Sequence, residues 1–118
     1  MRDREAITQR ALDYVEGWYL ADVERMDRAL SPHLAKRRIG SEEEIWSVTK
    51  SEMLTLTGDG KGRIDDPEKG RKEITILDQT ESMASVKIVS EQFTDYLHLA
   101  EVTDSWNIVN ALWDYHRE

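Results

Sequence analysis

The sequence predicts an α+β domain in which helices come first and a meander of antiparallel strands follows. Apolar residues recur at helical spacing over residues 5–20, whereas alternating and β-branched residues dominate after residue 70. This segregated order is typical of helices packed on an antiparallel sheet, and it argues against a parallel βαβ sheet. With 118 residues, the chain fits one domain over 1–118 and can bury a core.

Composition excludes several classes of protein and site. The chain has no cysteine, which rules out disulfides, thiolate metal sites and thiol nucleophiles. A net charge of −8 and a single short basic cluster, Lys36-Arg37-Arg38, disfavour nucleic acid as a partner. No apolar run approaches the roughly 20 residues of a membrane helix, and no secretory signal opens the chain, so we expect a cytoplasmic protein without membrane contact. Three dispersed histidines offer no ligand cluster, and we expect neither a metal nor a cofactor.

Three helices are predicted in the N-terminal half. The apolar stripe of the first helix, over 5–20, comprises Ile7, Ala11, Tyr14, Val15 and Trp18, and the polar residues Arg10, Asp13 and Glu16 lie off it. Asp22 is the expected N-cap of a second helix over about 23–30, with Val23, Met26 and Leu30 inward and Ser31-Pro32 as its end. Thr49 and Glu52 form a capping box for a third helix over 50–57, which ends at Gly58.

The remaining segments are predicted as strands and loops. A short strand is expected over 33–40, and 44–47 fits either a second short strand or a helical turn. A glycine-rich loop over 58–70 separates the halves. The four strands of the meander are predicted at 71–79, 83–91, 93–102 and 105–115.

Two stretches of the chain resemble a known group of proteins. The first is Asp13-Tyr14-Val15-Glu16-Gly17-Trp18, followed by Asp22, and the second runs from Phe93 to Leu99 and from Asp104 to Asn110. In order and spacing these stretches are similar to the nuclear transport factor 2-like, or cystatin-like and SnoaL-like, superfamily, with the closest likeness to its putative lumazine-binding family. Ser105 and Ala111 depart from the family pattern, which weakens the transfer of any specific ligand.

The resemblance implies a cone, in which a curved antiparallel or mixed sheet packs on the N-terminal helices and leaves a hollow. Superfamily members include isomerases, cyclases, dehydratases, ligand binders and adaptor modules, so the fold alone does not give the function. Enzymes of the superfamily use an aspartate base in the cone, together with groups that polarise a carbonyl. Members commonly form dimers through the outer face of the sheet.

Asp95 and Tyr14 are the catalytic candidates. Strand alternation places Asp95 on the same face as Phe93, Leu97 and Leu99, which is the expected inner face. A carboxylate in an apolar hollow has a raised pKa, and Tyr14 would supply a hydroxyl donor. The alternatives are a structural carboxylate at position 95 and simple core packing of the tyrosine.

A ligand site is predicted around the same two residues. Its candidates are Tyr14, Trp18, Met53, Asp95, Leu97 and Asn110. Asn110 is assigned to this set because alternation places it on the face of Trp106 and Ile108, where a lone amide is either satisfied by the structure or presented to a ligand. Alternatively, Trp18, Met53 and Trp106 would fill the hollow with side chains.

Other aromatic and histidine residues are assigned to surfaces. Alternation places Trp113 and Tyr115 on the outer face of the last strand, where Trp113 is the expected anchor of a homodimer. His98 is expected on the outer face as well, and His33 and His116 are expected at the surface.

We therefore expect this chain to bind a small, partly apolar organic molecule in the cone. Two competing functions remain open at this point. The first is a cofactor-free isomerase, cyclase or dehydratase with Asp95 as base and Tyr14 as donor. The second is a non-catalytic, dimeric interaction module with a filled hollow.

Overall fold

The computed structural model describes residues 3–116, in which three helices pack on one six-stranded sheet. The helices are α1 (Asp3–Leu20), α2 (Val23–Ala29) and α3 (Lys50–Gly58), with a 3-10 turn at Pro67–Lys69. The strands are β1 (Leu30–Ile39), β2 (Ile45–Val48), β3 (Lys72–Gln79), β4 (Met83–Ser90), β5 (Phe93–Val102) and β6 (Ser105–Tyr115). The predicted α+β class is confirmed. Within residues 3–116 no helix is both long and apolar enough to cross a membrane.

Local signals in the sequence explain where the helices begin. The Asp22 carboxylate accepts a hydrogen bond from the backbone N–H three residues later, as expected for the N-cap of α2. Thr49 and Glu52 form the predicted capping box at the start of α3. The end of α3 differs slightly, because Gly58 is still helical and the positive φ of 76° belongs to Gly60.

Two details of the predicted second helix are wrong. Val23 is 39% exposed, so it does not face inward. Leu30 is buried, but as the first residue of β1. Its backbone is already extended, with φ −104° and ψ 135°, because the chain leaves the helix before it reaches Pro32.

The sheet has the strand order β2-β1-β6-β5-β4-β3. Neighbouring strands are antiparallel except for β1 and β6, which run parallel, so the sheet is mixed. The segment at 44–47, for which two alternatives were open, forms strand β2 and pairs with the end of β1. The meander β3–β6 lies within one residue of its predicted bounds.

Strand β5 follows the predicted alternation throughout its first half. Asp95, Leu97 and Leu99 are buried on the concave face, whereas Tyr96 and His98 are exposed on the outer face. Side chains of one strand alternate between the two faces as long as the pairing is regular. The prediction that Asp95 faces inward is confirmed.

Strand β6 contains an extra residue that reverses its alternation. Leu99 pairs with Ile108, but His98 pairs with Asn110, which leaves Val109 without a counterpart on β5. A bulge of this kind moves every later side chain of the strand to the opposite face. The alternation of inward and outward side chains before the bulge is therefore the reverse of the alternation after it.

Three predicted placements on β6 are wrong because of this bulge. Asn110 is exposed on the outer face and does not share the inward face of Ile108. Trp113 was expected on the outer face as a dimer anchor, but it lines the concave side, as does Tyr115. The exposed apolar residues of the outer face are instead Ile39, Met83, Tyr96 and Leu112.

Candidate functional site

A cavity of about 400 Å³ lies between the concave face of the sheet and helices α1 and α3. Most of its wall is apolar, and its aromatic lining residues are Tyr14, Trp18, Trp46, Phe93, Trp113 and Tyr115. Small-molecule sites in proteins are typically clefts of roughly 300–1,000 Å³ with apolar walls and a few polar groups. The cavity has the size and lining of such a site.

Three polar side chains form a hydrogen-bonded chain in the cavity wall. The Tyr14 hydroxyl donates to Oδ2 of Asp95 over 2.8 Å. Nζ of Lys36 in turn donates to the Tyr14 hydroxyl oxygen over 2.5 Å. All three residues are at most 9% exposed, and all three line the cavity. Lys36, Tyr14 and Asp95 are called the polar triad below.

Regular secondary structure places the polar triad. Tyr14 lies on the buried stripe of α1. Asp95 lies on β5 between Ile88 of β4 and Trp113 of β6. Lys36 lies on β1 opposite Ala111 of β6, so a helix and two strands supply one residue each. The bulge in β6 matters here because it turns Trp113 toward the cavity beside Asp95.

Burial shifts the pKa of each member of the triad toward its neutral form. It raises the pKa of Tyr14 well above the ordinary value, and the neighbouring charge of Asp95 adds to this effect. Burial also raises the pKa of Asp95, although the charge of Lys36 and the hydrogen bond from Tyr14 oppose it. The pKa of Lys36 is lowered by burial, and the charge of Asp95 opposes this shift.

Aromatic rings surround the Lys36 amine. Its Nζ lies 4.9 Å from the centroid of the Tyr14 ring, 5.9 Å from that of Trp18 and 5.6 Å from that of Trp113. The Met53 sulfur is 3.7 Å away and is a weak acceptor. The amine therefore projects into an aromatic cage on the cavity side of the sheet.

The long loop before β3 holds one wall of the cavity in place. A Cβ atom built at Gly62 would clash with the Trp18 indole, so only glycine allows the backbone to approach the ring this closely. The glycine-rich composition of the loop thus fits the packing of a residue that lines the cavity.

The structure brings together four of the six predicted ligand-site residues. Tyr14, Trp18, Met53 and Asp95 all line the cavity. Leu97 faces inward but belongs to the buried core and does not line the cavity. Asn110 lies outside, where its side-chain nitrogen is 3.2 Å from Nδ1 of His98.

Sequence reasoning missed Lys36, because it treated Lys36-Arg37-Arg38 as one basic surface cluster. The strand pattern contains the missing signal. Leu34 and Lys36 are two residues apart on β1 and therefore share a face. Arg37 is exposed, as expected for the opposite face.

A second buried carboxylate, Asp13, directly precedes Tyr14 in the sequence but lies on another side of α1. Asp13 is 0% exposed, and its oxygens accept hydrogen bonds from Arg10 at 3.0 Å, Arg25 at 3.1 Å and Arg28 at 3.3 Å. Burial alone would raise the pKa of Asp13, but the hydrogen bonds from Arg28, Arg25 and Gln9 hold it below the ordinary value. Asp13 lies off the apolar stripe, as predicted, and is buried because α2 covers this side of α1.

The histidines take no part in the cavity. His33, His98 and His116 are all exposed, in agreement with the predicted surface positions. Among residues 3–116, no group of three or more histidine, aspartate or glutamate side chains is placed to hold a metal ion.

Helices packed on a curved, mixed six-stranded sheet around a cavity define the cystatin-like, nuclear transport factor 2-like class. The structure is similar to an NTF2-like protein from Silicibacter pomeroyi, with a TM-score of 0.83, 15% identity, and coverage of 98% of this chain and 97% of that chain. It is also similar to a ketosteroid isomerase-like protein from Erwinia carotovora atroseptica, with a TM-score of 0.70, 11% identity, and 98% of both chains covered. At these identities the similarity establishes the fold alone.

A family model described as "Putative lumazine-binding" matches residues 2–114. The chain therefore belongs to this putative lumazine-binding family, which confirms the resemblance seen in the first helix and the last strands. No curated protein matches the chain.

Proposed function

We propose that the protein binds a small, planar, partly apolar organic molecule in the cavity. The observation that carries this proposal is the combination of aromatic walls with one buried polar triad, in a space of about 400 Å³. Flat aromatic walls favour a flat ligand, and the triad supplies the few polar contacts that orient it. The family description names lumazine, a bicyclic heteroaromatic compound of this general shape, which makes lumazine a natural first probe.

The size of the cavity argues against the interaction-module alternative. That alternative requires Trp18, Met53 and Trp106 to fill the hollow. Trp18 and Met53 line an open space, and Trp106 is buried elsewhere in the core. A hollow of this size is more consistent with a ligand than with a purely structural role.

Tryptophan fluorescence tests the proposal directly, because Trp18, Trp46 and Trp113 line the cavity and Trp106 does not. Titration with lumazine and with naphthylmethanol should quench the emission saturably. In Trp106→Phe the quenched fraction should rise, since only cavity tryptophans remain. In Trp18→Ala the affinity should fall at least about tenfold, which corresponds to about 1.4 kcal/mol. The proposal fails if neither probe gives saturable quenching, or if Trp18→Ala binds both as well as the unmodified protein.

Proton transfer is a second candidate function, supported by the burial of Asp95 and its raised pKa. A carboxylate of this kind is suited to abstract a proton next to a carbonyl group. The Tyr14 proton is already donated to Asp95, so a substrate carbonyl would have to displace that hydrogen bond. Deuterium exchange at the α-carbon of a bound naphthyl ketone, lost in Asp95→Asn, would support this activity, and equal exchange in both proteins would refute it.

We also propose that the chain forms a homodimer through the outer face of the sheet. Tyr96 and Leu112 are cross-strand neighbours there and are 49% and 52% exposed. A two-fold dimer would bury this self-complementary apolar patch. The proposal replaces Trp113 with Leu112 as the anchor.

Sedimentation velocity tests whether Leu112 anchors the dimer. Leu112→Asp should convert a dimer into a monomer, because it places a charge in the apolar patch. Val23→Asp, on the exposed side of α2, is the matched control and should leave the dimer intact. A monomeric unmodified protein, or a Leu112→Asp variant that remains dimeric, would rule out this interface.

A further inference from the structure

The Lys36 amine lacks the carboxylate partner that a buried ammonium group normally has. Among residues 3–116, its hydrogen-bond acceptors are the Tyr14 hydroxyl and the weak Met53 sulfur, and no carboxylate lies within ion-pair distance. An ammonium group carries three donors, and buried charges are ordinarily paired. Asp95 is reached only through the hydroxyl of Tyr14. This environment suits a neutral amine, which has two N–H bonds and one lone pair.

The geometry also fixes the direction of these bonds. Because the Tyr14 hydroxyl donates its own proton to Asp95, its oxygen must accept an N–H bond of Lys36. The rest of the amine faces the cavity among the rings of Tyr14, Trp18 and Trp113. A lone pair on a desolvated amine that faces an aromatic pocket is the arrangement of a nucleophilic lysine.

We infer that Lys36 forms a reversible imine with an aromatic aldehyde or ketone bound in the cavity. This inference rests on the proposed binding function and specifies the ligand as a carbonyl compound. The lowered pKa of Lys36, caused by burial, agrees with this role, because more of the amine is then neutral near physiological pH.

The reaction balances without a cofactor or an oxidant. The Lys36 nitrogen attacks the carbonyl carbon, and the C=O π electrons move to oxygen. One nitrogen proton is transferred to that oxygen, which gives a carbinolamine. The second nitrogen proton and the hydroxyl group then leave as water, and a C=N bond forms. Hydrolysis by the reverse path releases the ligand and regenerates the amine.

Tyr14 and Asp95 are placed to move these protons. The Tyr14 oxygen already contacts the Lys36 nitrogen and can accept its proton while passing its own proton to Asp95. The reverse transfer returns a proton to the carbinolamine hydroxyl as water departs. The buried carboxylate, whose pKa burial raises, is suited to hold that proton for a time.

Lys61 provides an internal comparison, because it lines the same cavity but is exposed. Exposure leaves Lys61 without the desolvation that activates a buried amine as a nucleophile. The inference therefore predicts a selective reaction at Lys36.

The test is reductive trapping with naphthaldehyde and sodium cyanoborohydride at about pH 7, where exposed lysines are protonated. Intact-mass and peptide mass spectrometry would locate the adduct. We expect one main adduct at Lys36, which is lost in Lys36→Met and Lys36→Arg and retained in Lys69→Met, a change at an exposed lysine outside the cavity. Excess naphthylmethanol, which cannot form an imine, should compete and reduce labelling of the unmodified protein at least about tenfold at saturation. This competition keeps the test valid even if a Lys36 variant does not fold.

Three results overturn the inference, and they differ in what they say about binding. Saturable binding of naphthylmethanol without an adduct at Lys36 would leave the binding function intact and reduce Lys36 to a polar contact. Labelling spread evenly over exposed lysines would overturn the special role of Lys36, and the naphthylmethanol titration would still decide the binding function separately. Absence of both adduct and naphthylmethanol binding would overturn the inference together with the proposed function.

Discussion

Two carboxylates, Asp13 and Asp95, are both buried, but their pKa values shift in opposite directions. Both are at most 4% exposed, and burial raises the pKa of both. Asp13 accepts hydrogen bonds from three arginines, whereas Asp95 accepts one from a tyrosine. The net pKa of Asp13 is therefore lowered, and that of Asp95 is raised.

The nature of the partners accounts for the difference. Arginine remains charged at any ordinary pH and offers several fixed donors, so it stabilises the carboxylate form. A phenol hydroxyl is neutral and compensates only part of the lost hydration. The arginine cluster connects α1 to α2 and is a structural element, whereas the polar triad lines the cavity.

The largest effect is expected from Asp13→Asn. This change leaves the three arginines of the cluster without their shared counter-charge. Loss of one partner of a buried ion pair costs about 3–5 kcal/mol, and the partial exposure of Arg10, Arg25 and Arg28 places the expected loss in unfolding free energy near the lower end.

Urea denaturation would measure this loss, with Glu5→Gln, an exposed change on the same helix, as the control. If Asp13→Asn were as stable as Glu5→Gln, the arginine cluster would not be a structural element, and the contrast with Asp95 would lose its basis.

A smaller effect is expected from Tyr14→Phe. This change removes a single oxygen, but the oxygen connects Lys36 to Asp95. Buried polar groups left without a partner cost about 1–3 kcal/mol, so we expect a loss of about 2 kcal/mol in unfolding free energy. Tyr19→Phe is the matched control, because the Tyr19 hydroxyl also bridges two groups, the carbonyl of Arg71 and the N–H of Glu91. A loss for Tyr14→Phe well below that of the control would mean that the triad is not a coupled unit.

The sequence was sufficient to predict the fold and to indicate four residues that line the candidate site. Strand periodicity placed Asp95 correctly because β5 pairs regularly around it, and the capping box fixed the start of α3. The same rule failed on β6, because the bulge at Val109 depends on pairing with β5 and leaves no local signal. Asn110 was consequently predicted on the inner face but lies on the outer one, and Trp113 was predicted on the outer face but lies on the inner one.

Lys36 was missed as a site residue, and the burial of Asp13 was not predicted, for a different reason. A charged residue is normally exposed, and only its partners reveal that it is buried. Two of the four partners of Asp13 come from α2, and those of Lys36 come from α1 and α3. Contacts between elements distant in sequence cannot be inferred from local periodicity. The chemistry of both clusters therefore became visible only in the folded chain.

The smallest effect is expected from Asp95→Asn, which should change the unfolding free energy at neutral pH by less than about 1 kcal/mol. The amide oxygen can still accept the hydrogen bond from Tyr14, and the cost of burying a charge disappears. Against this gain, Lys36 loses the negative charge that partly offsets its own burial. Two buried carboxylates would thus give mutational effects that differ severalfold.

The pH dependence of this difference has a defined sign. Because the folded pKa of Asp95 is raised above 3.8, folded Asp95 holds its proton in a range where the unfolded chain has released it, so stability falls as pH rises through that range. The asparagine variant lacks this fall. Its Lys36 pKa also drops further, and a lowered lysine pKa makes stability rise with pH. Both contributions have the same sign, so Asp95→Asn should gain stability relative to the unmodified protein as pH increases from about 4 to 8.

Urea titrations across this range would measure the trend in the stability difference between the two proteins. A difference that is flat or falls with pH would show that Asp95 has no raised pKa and resembles Asp13.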